Sequence, residues 1–130
     1  MALIDIAAPM LVVGTTRDHV CPWRSVYKIH LSTDVETTFV LAAGGHNAGI
    51  VSEPGHPGRS YQMATTPKSH GWVDPDDWLK QAPVHTGSWW EAMAGWLVAR
   101  SGASVPARSI PVNRALGDAP GEYVRVRYAD

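Results

Sequence analysis

Two short apolar runs, separated by one helix's worth of chain, constrain this sequence more than any other feature. "PMLVVG" (residues 9–14) is continuously apolar between a proline and a glycine, and reads as a strand covered on both faces. "TTFVLAA" (residues 37–43) is rich in β-branched and aromatic residues and predicts a second strand. Between them Pro22 suits a first helical position, and Trp23, Val26, Tyr27 and His30 recur at helical spacing. Strand, helix and strand make a βαβ unit, whose strands should lie parallel with a right-handed crossover. The fold class predicted is α/β.

After Gly49 the texture changes. "VSEPGHPGRSYQMATTPKSHG" is rich in proline and glycine and is expected to be a long loop with at most a short turn of helix. "DPDDWLKQA" should open a short helix, with Asp74 as cap, Pro75 in the first position and Asp77 favoured by the helix dipole. "SWWEAMAGWLVARSG" is the clearest helix. Ser88 and Glu91 are expected to form a capping box, Trp89, Met93, Trp96 and Leu97 to share a face, and Gly102 to end it. Six tryptophans stand against one phenylalanine, and most of them lie in these helices, where core or a buried interface is the expected role. Residues 103–121 read as loop, and "EYVRVRY" alternates as an edge strand would. The expected division is a body over 1–102 and a C-terminal tail over 103–130.

Composition removes several classes of function. With 45% hydrophobic and 18% charged residues in 130, a packed core is expected rather than disorder. The net charge is -1 and no basic run occurs, which argues against a nucleic-acid partner. No apolar stretch approaches the ~20 residues of a membrane span, and the first residues lack the layout of a signal peptide. A cytoplasmic location is the default expectation. The six histidines show no paired ligand spacing, so no metal site is expected.

Strands of a βαβ unit end at one sheet edge, and functional loops leave from that edge. Asp18 follows the first strand and His46 the second. Neighbouring strands lie ~4.8 Å apart, so the carboxylate and the imidazole could bond, fixing the ring tautomer and leaving its other nitrogen as a general base. Gly44 and Gly45 would allow a sharp turn before His46. Acid then histidine is the order used in α/β-hydrolase triads. Plainer roles fit as well: Asp18 as a cap for the helix near Pro22, and His46 as a surface loop residue. No G-x-S/C-x-G elbow occurs anywhere in the chain. The single cysteine, Cys21, leaves from the acid loop and is expected to be a small buried side chain rather than a nucleophile.

"TTRDHVCPWRSVYK", "FVLAAGGHNAGIVSEPG", "GSWWEAMAGWL" and "DAPGEYV", in this order, resemble the C-terminal region of class I polyhydroxyalkanoate synthases. The resemblance runs from about Ile6 to Val124. It implies the C-terminal part of an α/β-hydrolase fold and an acyltransferase that polymerises (R)-3-hydroxyacyl-coenzyme A into storage polyester. By resemblance Asp18 is the catalytic aspartate, acting on the 3-hydroxyl of the incoming unit, and His46 is the histidine that activates a cysteine thiol. The coenzyme A thioester is substrate, and no cofactor is implied. The family's cysteine lies in an upstream G-x-C-x-G elbow that these residues lack, and Cys21 stands where the family usually has alanine. The chain is therefore expected to be inactive alone, as the product of a truncated or split gene, and to self-associate or bind an N-terminal synthase fragment. The alternative expectation is a non-catalytic module that binds a synthase or a polyester granule.

Overall fold

The computed structural model describes residues 2–111 and 114–128. Its centre is a four-stranded mixed sheet in the order β1-β2-β3-β4, with β1 at Met10–Arg17, β2 at Thr37–Gly45, β3 at Ser60–Thr66 and β4 at Val84–Thr86. β1 and β2 are parallel, whereas β2–β3 and β3–β4 are antiparallel. The crossover from β1 to β2 is carried by α1 (Trp23–Tyr27) and α2 (Ile29–Ser32), one helical segment interrupted at Lys28. α3 (Pro75–Gln81) lies between β3 and β4, and α4 (Trp89–Val98) follows the sheet.

β2 holds the fold together because both of its faces are covered. Alternate side chains of a strand point to opposite faces. Phe39 and Leu41 pack with Trp23, Tyr27, Trp78 and Ala82 from α1 and the α3 region. Val40 and Ala42 pack on the other side with Trp89 of α4. The first layer is aromatic: Phe39 meets Tyr27 and Trp78 edge-on, with ring centroids 5.0 and 5.2 Å apart. The helices start as their sequences dictate. Asp74 accepts the Asp76 N–H at 2.8 Å with Pro75 next to it, and Ser88 accepts the Trp90 N–H at 3.0 Å.

Several expectations need correction. The segment expected as loop after Gly49 contains β3, whose Tyr61 and Met63 reach the α4 face while Ala64 reaches the other. β4 also went unanticipated, being only three residues long after Pro83. β1 is packed on both faces as expected, Val12 against the Phe39 layer and Leu11 and Val13 against the Trp89 layer, but Met10–Val13 are only half-buried, and among the described residues the strand pairs along one edge only. "EYVRVRY" forms a 3-10 turn at Tyr123–Arg125 instead of an edge strand; its side chains are exposed, and among the described residues it pairs with no strand. α4 ends at Val98, before Gly102, and Leu97 is exposed while Trp89 and Met93 face the core. Ser88 provides the cap, and no return bond from Glu91 accompanies it among the described residues.

Phe39 has no exposed surface and touches every aromatic of its layer. Phe39→Ala should therefore cost about 3–5 kcal/mol in urea unfolding. A loss below about 1 kcal/mol would show that this layer is not the core.

Candidate functional site

The parallel register decides where the site falls. Met10 is opposite Thr37, and the match continues in step to Thr15 opposite Ala42. It then shifts, so that Arg17 lies opposite Gly45 and β2 gains one residue over β1. Asp18 and His46 are thus each the first residue beyond their strands, at the same edge. The Thr16 hydroxyl bridges the shift, accepting the Gly44 N–H at 3.2 Å and facing the Gly44 carbonyl at 3.4 Å. Nothing in the sequence distinguishes Thr16 from an ordinary strand threonine, so this link was not foreseeable.

Two glycines are required here. Gly44 has φ +139°, and a Cβ on it would lie 2.7 Å from the Gly49 Cα. A Cβ on Gly49 would lie 2.5 Å from Thr15 Cγ2. The chain after His46 therefore folds back across the strand ends with no room for a side chain at either position. Gly45, also expected to turn, instead stays in β2 opposite Arg17.

Asp18 and His46 meet directly. His46 Nδ1 lies 2.8 Å from Asp18 Oδ2. The other carboxylate oxygen, Oδ1, accepts the backbone N–H groups of Val20 at 2.9 Å and Cys21 at 2.8 Å. Asp18 thus shapes its own loop while orienting the histidine, in the manner of an Asx turn. It does not cap α1, which begins after Pro22 without a side-chain cap. The Cys21 N–H, outweighing the burial that opposes it, holds the Asp18 carboxyl below its ordinary value, and the His46 hydrogen bond and the Val20 N–H lower it further. The Asp18 side chain is 8% exposed and the His46 side chain 45%. A ring that donates Nδ1–H to a carboxylate carries its lone pair on Nε2, which makes an accessible nitrogen able to accept a proton.

Cys21 is exposed, contrary to the expectation that it is buried. The crossover buries Trp23 and Tyr27, and residues 19–22 are left outside the core. Among the described residues, no group of three His, Cys, Asp or Glu side chains could hold a metal ion. No described helix is long and apolar enough to cross a membrane.

No family model matches the chain. Among curated proteins, the poly(3-hydroxyalkanoate) polymerase subunit PhaC of Rhizobium meliloti (strain 1021) is 36% identical over 129 residues, covering 98% of this chain and 20% of that protein. The poly(3-hydroxyalkanoate) polymerase 2 of Ectopseudomonas oleovorans is 39% identical over 118 residues, covering 88% and 20%. The subunit PhaC of Cupriavidus necator is 34% identical over 132 residues, covering 96% and 21%. The chain spans about a fifth of the length of these relatives.

A carboxylate with a depressed folded value adds stability above its unfolded value and loses it as pH falls through the folded one. A carbon-13 titration of the Asp18 carboxyl should have its midpoint below 3.8, the ordinary value, and the 18–21 loop should loosen only as pH drops below that point. A midpoint at or above 3.8 would contradict the hydrogen-bond pattern.

Proposed function

Because the chain is related by sequence to the C-terminal region of the poly(3-hydroxyalkanoate) polymerases, we propose that it supplies the Asp-His half of a Cys-His-Asp acyl-transfer site. The observation that carries this reading is the 2.8 Å contact between His46 Nδ1 and Asp18 Oδ2, which leaves Nε2 of a half-exposed ring free of that carboxylate. A mixed sheet with helices on both faces is compatible with the α/β-hydrolase fold, in which acid and histidine leave from the ends of strands.

In the proposed reaction, His46 Nε2 takes the proton of a cysteine thiol supplied from the part of the synthase that the match leaves uncovered. The thiolate attacks the carbonyl of an (R)-3-hydroxyacyl-coenzyme A thioester, and an acyl-cysteine forms as the carbon–sulfur bond to coenzyme A breaks. The departing thiolate takes the proton back from His46. In the second half, Nε2 removes the proton of a 3-hydroxyl, whose oxygen attacks the acyl-cysteine; the carbon–sulfur bond to the cysteine breaks, the cysteine thiolate takes the proton back from His46, and the polyester is longer by one ester bond. Both Asp18 oxygens are occupied and its side chain is nearly buried, so its part here is to orient and charge-balance the imidazole. Among the described residues β1 is paired along one edge only, and that open edge is where the part of a synthase that carries the cysteine would dock, since open strand edges recruit other strands. The location proposed is the cytoplasm, at polyester granules.

A second reading is a non-catalytic module seated on a synthase or a granule. It is favoured by the apolar side chains that the tail leaves exposed, among them Val105, Ile110 and Leu116.

Both readings meet one experiment. The chain alone should release no coenzyme A from 3-hydroxybutyryl-coenzyme A, because a base without a nucleophile cannot form the acyl-enzyme. Mixing with an N-terminal synthase fragment should bring release, and His46→Ala should lower it about 10²–10⁴-fold while binding persists. Equal rescue by His46→Ala would favour the module. Release by the chain alone that vanishes in Cys21→Ala would make Cys21 the nucleophile and overturn the proposal.

A further inference from the structure

Four consecutive carbonyls just beyond His46 are each taken by a side-chain donor. Trp89 Nε1 donates to the Gly49 carbonyl at 3.0 Å and Trp90 Nε1 to that of Ile50 at 2.8 Å. Arg59 Nη2 donates to Val51 at 3.3 Å, and the Ser88 hydroxyl donates to Ser52. Three of the four donors are successive residues at the start of α4. The front of the same segment is tied back to itself: the Gly49 N–H donates to the Gly45 carbonyl at 2.9 Å, and the N–H groups of Ile50 and Val51 donate to the Asn47 carbonyl at 3.1 and 2.9 Å.

Loop carbonyls usually bond to water, which lets the loop move at little cost. Gly49, Ser52, Ser88 and Trp89 are buried, so a Gly49 or Ser52 carbonyl that lost its donor would be left unpaired, whereas the exposed Ile50 and Val51 carbonyls could turn to water. The strap is also confined from beneath, where Gly49 lies against Thr15 without space for a Cβ. His46 itself is half-exposed and, among the described residues, has one side-chain partner, so little else holds its ring on Asp18.

We propose that Ser88, Trp89, Trp90 and Arg59 are positioning residues for His46. By fixing residues 49–52 they hold the backbone that aims the imidazole at Asp18, and α4 becomes a support for the site rather than only a lid on the core. The functional meaning rests on the acid–base reading above. The geometry can be tested without any activity, so the two can fail separately.

The test is the exchange with water of the His46 Nδ1 proton, followed by NMR in the full 130-residue chain. Trp90→Phe keeps a ring and removes the donor to Ile50, and Trp89→Phe removes the donor to Gly49. Trp96→Phe is the control, because Trp96 is on the same helix but its Nε1 has no hydrogen-bond partner among the described residues. Trp89→Phe should speed exchange about five- to tenfold, the worth of one net hydrogen bond, while Trp96→Phe stays within about twofold of the parent. Trp90→Phe, whose acceptor Ile50 is exposed and can turn to water, should speed exchange less than Trp89→Phe. If the buried Trp89 variant does not fold, Ser88→Ala, which removes the buried donor to Ser52, decides in its place. Exchange in the deciding variant within about twofold of the parent, or equal acceleration in Trp96→Phe, would overturn the proposal.

Discussion

Parallel pairing of β1 with β2 is the constraint on which the rest depends. Antiparallel strands would send their loops to opposite ends of the sheet, and Asp18 and His46 would be separated by the length of a strand. Parallel strands need a crossover, and here the crossover also supplies Trp23 and Tyr27 to the core. The same short segment therefore fixes the direction of β2 and fills the layer against which β2 packs. The register shift after Thr15 then brings the two strand ends level, and Gly44 takes the conformation that the shift imposes.

The site inherits its order from both sides of the sheet. Asp18 is held by backbone N–H groups of its own loop, so its position depends on the turn into α1. His46 is held by Asp18 and by a strap anchored on α4, which packs on the opposite face. The acid thus depends on the layer containing Trp23, and the base on the layer containing Trp89. Neither residue is in the core, yet each is joined to it through a few hydrogen bonds. An exposed imidazole can in this way keep one orientation while its Nε2 stays open to a reacting group.

The βαβ unit and its two loop residues were legible because each rests on a local pattern: apolar strands, a proline-started helix and glycines beside the histidine. Asp74 and Ser88 were legible as caps for the same reason. β3 was not, because its apolar residues alternate with glutamine and threonine inside a run of prolines and glycines. Its identity as a strand comes from pairing with β2, a long-range contact. Gln62, polar in the middle of that strand, is explained only by the structure, where it donates to the carbonyls of Leu79 and Ala82 at the end of α3. "EYVRVRY" fails in the opposite sense: the alternation is present, but among the described residues it pairs with no strand. The exposure of Cys21 follows from how the crossover lies on the sheet, which residue type alone does not show.

At the centre of this account is an imidazole whose Nδ1 carries the proton toward Asp18 and whose Nε2 carries the lone pair. Nitrogen-15 NMR of the His46 ring at a pH where it is neutral reads this directly. The account requires the Nδ1–H tautomer in the parent chain and its loss in Asp18→Ala. A neutral ring protonated on Nε2 in the parent, or a tautomer unchanged when the carboxylate is removed, would contradict it.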